Sequence, residues 1–134
     1  MAASRALVLN AFNQKFEEFL GDLVNVFPED SDFRMFKNSF NLVKNLDERK
    51  VMTLFIQHSP MYREHILAKN DAFFLGADFG EIYKKDISES NITSELINKL
   101  KNLWRELNED NRKFVWKYFN LFLALQDKYL SVAA

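Results

Sequence analysis

Apolar residues recur at steps of three and four along most of this chain, the spacing of one face of an α-helix. In the first segment Phe12, Phe16, Phe19, Leu20, Leu23, Val24 and Phe27 make one wide stripe, which predicts a helix from about Ser4 to Val26. Gly21 weakens it locally, by about 1 kcal/mol relative to alanine. Pro28 then ends it, because a residue preceding proline is pushed away from helical angles. The acidic run Glu29-Asp30-Ser31-Asp32 supplies the next start, with Asp30 or Ser31 as cap and carboxylates at the positive end of the helix dipole. The second helix carries Phe33, Phe36, Phe40, Val43 and Leu46 on one face. Asp47 reads as the cap of a third, from about Glu48 to Gln57, with Leu46 and Val51 placed as a hydrophobic staple around it.

Ser59-Pro60 predicts another start, serine capping and proline in the first turn, for a helix to about Lys69. Asn70 caps a short turn through Leu75, which Gly76 ends. Residues 76 to 91 are the least regular part and read as a loop with one helical turn around Gly80 to Lys85. Ile92, Leu96, Leu100, Leu103 and Leu107 define an amphipathic helix, and Asn108 caps the last one, about Glu109 to Ser131. In that last helix Phe114, Val115, Trp116, Tyr118, Phe119, Leu121, Phe122, Leu123 and Leu125 cover most of the circumference, as in a centrally buried helix. The pattern therefore predicts an all-α fold. It is a compact single domain spanning residues 1–134, a bundle of about five to seven helices with a central, largely apolar C-terminal helix.

Composition changes this picture in one respect. Fourteen of the 134 residues are phenylalanine, with four tyrosines and two tryptophans, and such an excess is either core or partner-binding surface. A domain of this size buries only about two-thirds of its unfolded surface. Some aromatic surface is therefore expected outside, and the candidates for a protein interface are Phe73, Phe74, Phe79, Trp116, Phe119 and Phe122.

Charge and chemistry narrow the function by exclusion. The net charge of −1 gives no global pull toward nucleic acid or anionic lipid. The absence of cysteine excludes disulfides, thiolate nucleophiles and cysteine-ligated zinc. Ala6-Leu7-Val8-Leu9 is too short for a signal-peptide core, no stretch approaches the ~20 apolar residues of a membrane span, and Asn91-Ile92-Thr93 reads as a chance sequon. An intracellular, soluble protein is expected. His58 and His65 lack the companions of a metal site, and Asp78-Phe79-Gly80 matches a kinase triplet without a glycine-rich loop or catalytic loop. The carboxylate pairs Asp30/Asp32 and Asp47/Glu48 stand where caps are needed, and Glu17/Glu18 flank the first stripe as a solvated pair. No cofactor, metal or enzymatic activity is expected. A second reading comes from Lys99, Lys101, Arg105, Arg112, Lys113 and Lys117, which with Trp104 and Trp116 offer a basic, aromatic face for nucleic acid. Glu95, Glu106, Glu109 and Asp110 interrupt it.

The run from Phe16-Glu17-Glu18-Phe19-Leu20-Gly21-Asp22-Leu23 to Val26-Phe27-Pro28-Glu29-Asp30, with Phe73-Phe74 later, resembles small all-helical proteins of large nucleocytoplasmic DNA viruses of algae and protists. The resemblance covers about the first 75 residues and implies a viral, soluble, non-enzymatic protein, with no functional residues to carry over. The leading expectation is a protein–protein interaction or assembly module that binds through an aromatic patch or hydrophobic groove, to itself or to a viral or host protein. Nucleic-acid binding is the runner-up.

Overall fold

In the computed structural model, residues 4–72 and 99–132 are described, and every regular element among them is helical. In chain order these are α1 (Arg5–Val26), α2 (Ser31–Leu46), α3 (Lys50–His58), a 3-10 turn (Ser59–Met61) and α4 (Arg63–Leu67). Helical residues 99–103 then run into a second 3-10 turn (Trp104–Glu106), and α5 (Glu109–Ser131) closes the fold. The architecture is an all-α bundle.

Three caps follow the local chemistry of the sequence. Ser4 accepts from the Leu7 N–H, Asp30 from the Asp32 N–H and Asn108 from the Asn111 N–H, each satisfying a donor that the first helical turn leaves open. Two expected starts differ. Asp47 Oδ1 accepts from the Arg49 N–H and folds a turn, so α3 begins at Lys50 rather than Glu48, without a side-chain cap. Leu46 is 88% exposed, so it neither staples the cap against Val51 nor joins the buried face of α2. At Ser59-Pro60 the chain makes a 3-10 turn instead of entering a long helix. The Ser59 hydroxyl is not spent on a cap: it donates to Gln126 Oε1 at 2.6 Å, inside the protein. α4 ends in a paired-bond motif, with the Lys69 N–H on the Ile66 carbonyl and the Asn70 N–H on the His65 carbonyl. Lys69 holds the left-handed position at φ 50°, where glycine is usual. Asn70 Oδ1 accepts from the Ala72 N–H, as expected of a cap, while the turn through Leu75 and the 76 to 91 loop lie outside the described residues.

α1 and α5 form the axis of the bundle and run antiparallel. Arg5 Nε donates to the Val132 carbonyl at one end, and Tyr118 reaches Asp22 nearer the other. Between them Phe122 is the hub of an aromatic core. Its ring lies 5.5 Å from Phe12, 5.2 Å from Phe16, 5.7 Å from Phe19, 6.0 Å from Phe55 and 6.3 Å from Phe119. Phe33, Phe36 and Phe40 bring α2 onto this core, Val51, Met52, Leu54 and Phe55 bring α3, and Leu100, Trp104 and Leu107 close the other flank. Polar ties fix the registry. Asn120 Nδ2 donates to the Ile66 carbonyl, and Arg63 grips Asp127 through two bonds of 3.0 and 2.7 Å, so α4 is held on α5. No helix among the described residues is long and apolar enough to cross a membrane.

A groove between the first and last helices

The expected aromatic interface divides in two. Phe73, Phe74 and Phe79 lie outside the described residues. Trp116, Phe119 and Phe122 are not surface: they are 3, 4 and 0% exposed and belong to the core. The reason is geometric. Positions 115, 116, 119, 122, 123 and 126 make the strip of α5 that meets α1, α3 and α4, while Lys113, Lys117, Ala124, Asp127 and Lys128 take the outer face. Among the described phenylalanines none is exposed; Phe27 and Phe114 are only half-buried.

The expected nucleic-acid face is also divided. Lys99 bridges Asp30 and Asp32 at 2.8 Å each, which ties helical residues 99–103 to the start of α2. That bond to Lys99 holds the Asp30 carboxyl below its ordinary value. Arg112 donates through Nε and Nη2 to the Trp104 carbonyl at 3.1 and 2.9 Å, and its guanidinium lies 5.7 Å from the Trp104 ring centroid. Lys101 is half-buried, and Arg105, Lys113 and Lys117 are exposed. The cations therefore do not act as one face, because two of them stabilise the fold internally.

What the packing leaves open is a groove of about 490 Å³ along the seam of α1 and α5. Its apolar floor is Val26, Phe114 and Leu121, each half-buried, together with the ring of Tyr118. Phe114 sits edge-on to Phe19 at 6.1 Å and to Tyr118 at 6.0 Å, so one side of the floor is anchored in the core. The α1 wall carries Lys15, Glu18, Asp22 and Asn25, and the α5 wall carries Asn111 and Lys117. Lys15 and Glu18 pair across one turn at 3.2 Å. Tyr118 donates to Asp22 Oδ2 at 2.7 Å, and its oxygen is 3.4 Å from Glu18 Oε1. Burial first, and then the bond to Asp22, push the Tyr118 phenol well above its ordinary value, so it is a fixed donor at neutral pH.

The other concavities are less suited to an apolar guest. One at the α1–α2 turn is lined by residues 26–32, three of them acidic, Glu29, Asp30 and Asp32. Two more, on the far side of α1, are lined chiefly by amides and charges, Asn10, Asn13, Gln14, Glu17 and Lys44 among them. No cluster of three or more histidine, cysteine or carboxylate side chains suited to a metal ion occurs among the described residues. His65 Nδ1 is 3.2 Å from the Asn70 amide nitrogen, at the end of α4. Sequence spacing did not single out the groove, although it contains Phe114, Tyr118 and Leu121, because in the sequence these share one apolar run with the core positions of α5. No protein family, curated protein or solved structure matches this chain.

Proposed function

We propose that this protein is a non-enzymatic protein–protein interaction module that seats an amphipathic helix of its partner in the groove between α1 and α5. One observation carries the reading: a half-buried apolar floor of Val26, Phe114 and Leu121 runs between two charged walls. This is the form a helix-binding groove takes, with apolar side chains at three- and four-residue steps filling the floor and charges fixing orientation. The groove follows α1 from Lys15 to Val26, about 16 Å at helical rise, which is about three turns of a guest helix. The resemblance of residues 16–30 to proteins of large DNA viruses adds an intracellular viral setting to the proposal. The nucleic-acid alternative rests on Arg105, Lys113 and Lys117, since Lys99 and Arg112 are neutralised or bonded within the fold.

The test is a nitrogen-15 NMR titration with a designed helical peptide, leucine at its three- and four-residue steps, arginine on one flank and glutamate on the other. Amide shifts are expected at Asp22, Val26, Phe114 and Leu121, with loss of binding in Leu121→Glu. A peptide that shifts nothing at millimolar concentration, or shifts only other surfaces, removes the proposal.

A further inference from the structure

The described surface holds a second feature that the core does not use. On α2, Met35, Leu42 and Leu46 are 55, 66 and 88% exposed. They stand at i, i+7 and i+11, so they form one stripe along the helix, turned away from the buried Phe33, Phe36 and Phe40. Ser31, Asn38, Ser39 and Asn45 beside the stripe are uncharged, and charge enters only at its start, where Asp32 and Arg34 flank it. An apolar outer helix strip with charges at its edge has the composition of an interface centre and rim rather than of solvated surface.

We infer that the occupant of the α1/α5 groove is α2 of a second copy of this chain, an inference that rests on the groove being a helix-binding site. Two matches on the page support it. The first is length: Met35 to Leu46 spans eleven helical steps, as does the α1 wall from Lys15 to Val26, about 16 Å in each case. The second is charge. Around α2, Arg34 flanks the stripe on one side and Asp32 on the other. The groove has Lys15, Glu18 and Asp22 on its α1 wall, net negative with Lys15 paired to Glu18, and Lys117 on its α5 wall. A guest α2 laid with Arg34 toward α1 and Asp32 toward α5 faces opposite charges on both sides, which fixes its orientation. Arg34 is exposed and donates to the Pro28 carbonyl at the surface, and the Asp32 side chain stays 44% exposed beside Lys99, so both can reach a neighbour.

Two copies that exchange both contacts about a two-fold axis form a dimer, and copies that offer the stripe to one neighbour and the groove to another build a closed ring or an open chain.

Sedimentation velocity on three proteins tests this. The wild type gains mass with concentration, to a dimer or beyond. Leu42→Glu, at a site that is solvent-exposed and does not support folding, weakens self-association by roughly tenfold or more. Lys117→Glu, an exposed reversal on the groove wall, weakens it in the same direction, and Leu121→Glu does so more strongly where it folds. Mixing Leu42→Glu, which keeps its groove, with Lys117→Glu or Leu121→Glu, which keep the stripe, gives one-to-one dimers that grow no further. A wild type that stays monomeric, a Leu42→Glu variant that associates unchanged, or a mixture that forms no dimer overturns self-docking. If the monomer still takes the designed peptide in its groove, the interaction reading survives alone; if it takes neither, both fall.

Discussion

Replacing Phe122 by alanine separates a core role for this aromatic from an interface role. Phe122 is 0% exposed and has ring neighbours from three helices, Phe12, Phe16 and Phe19 on α1, Phe55 on α3, Tyr118 and Phe119 on α5. Truncation removes the transfer free energy of the ring and leaves a hole that these neighbours, each held on its own helix, refill only in part. Buried phenylalanine-to-alanine changes cost about 3–5 kcal/mol, and limited collapse argues for about 4. For a chain of 134 residues, at the usual unfolding entropy per residue, that lowers Tm by roughly 14 °C. Urea unfolding followed by circular dichroism measures it as a lower midpoint at constant slope. Phe114→Ala, at a half-buried position on the groove floor, costs less than half as much by the same reasoning. Equal losses at the two sites, or a Phe122→Ala loss under about 1.5 kcal/mol, would refute the assignment of Phe122 to the centre of the core.

Other outcomes follow from single local features. Lys69→Gly relieves a left-handed lysine at φ 50° and is expected to raise stability by about 1 kcal/mol in urea melts. Gly21→Ala raises it by a similar ~1 kcal/mol, because the added methyl meets only Lys37 Nζ, at an ordinary 3.7 Å. Ser59→Ala strands the buried Gln126 Oε1 and costs about 1–3 kcal/mol, whereas adding Gln126→Leu recovers much of the loss; a double variant no better than the single one counts against that hydrogen bond as the cause. Asp30, whose carboxyl Lys99 holds below its ordinary value, contributes stability that is complete above about pH 4 and is lost as pH falls through its lower folded value. Asp30→Asn keeps an N-cap while deleting that charge, so its acid unfolding limb is flatter than the wild type's, measured by midpoints from neutral pH to about pH 2.

The helices were legible in this sequence where one local interaction decides. Ser4, Asp30 and Asn108 cap because their side-chain oxygens reach N–H groups two or three residues away; Asp30 caps through Oδ1 and leaves Oδ2 to its distant partner Lys99. Ser59 shows the opposite case: its hydroxyl has a buried partner 67 positions later, at Gln126, and the local capping geometry gives way. Lys69 occupies a conformation that its own preferences oppose, held by two backbone bonds that close α4.

The same division governs the candidate site. Periodicity identifies the apolar stripe of α5 but cannot divide it between neighbours. Phe119 and Phe122 turn inward because α1 and α3 lie there, while Phe114 and Leu121 are left at the edge because no described helix covers the α1–α5 seam. On α2 the outcome is reversed. A phenylalanine face satisfies the core, and Met35, Leu42 and Leu46 remain exposed as a second apolar face. An amphipathic helix needs one apolar stripe to fold; a second, uncharged stripe lowers solubility and contributes little to packing unless something covers it. The proposed contact between copies would cover both surfaces at once, the groove along the α1–α5 seam and the apolar stripe of α2.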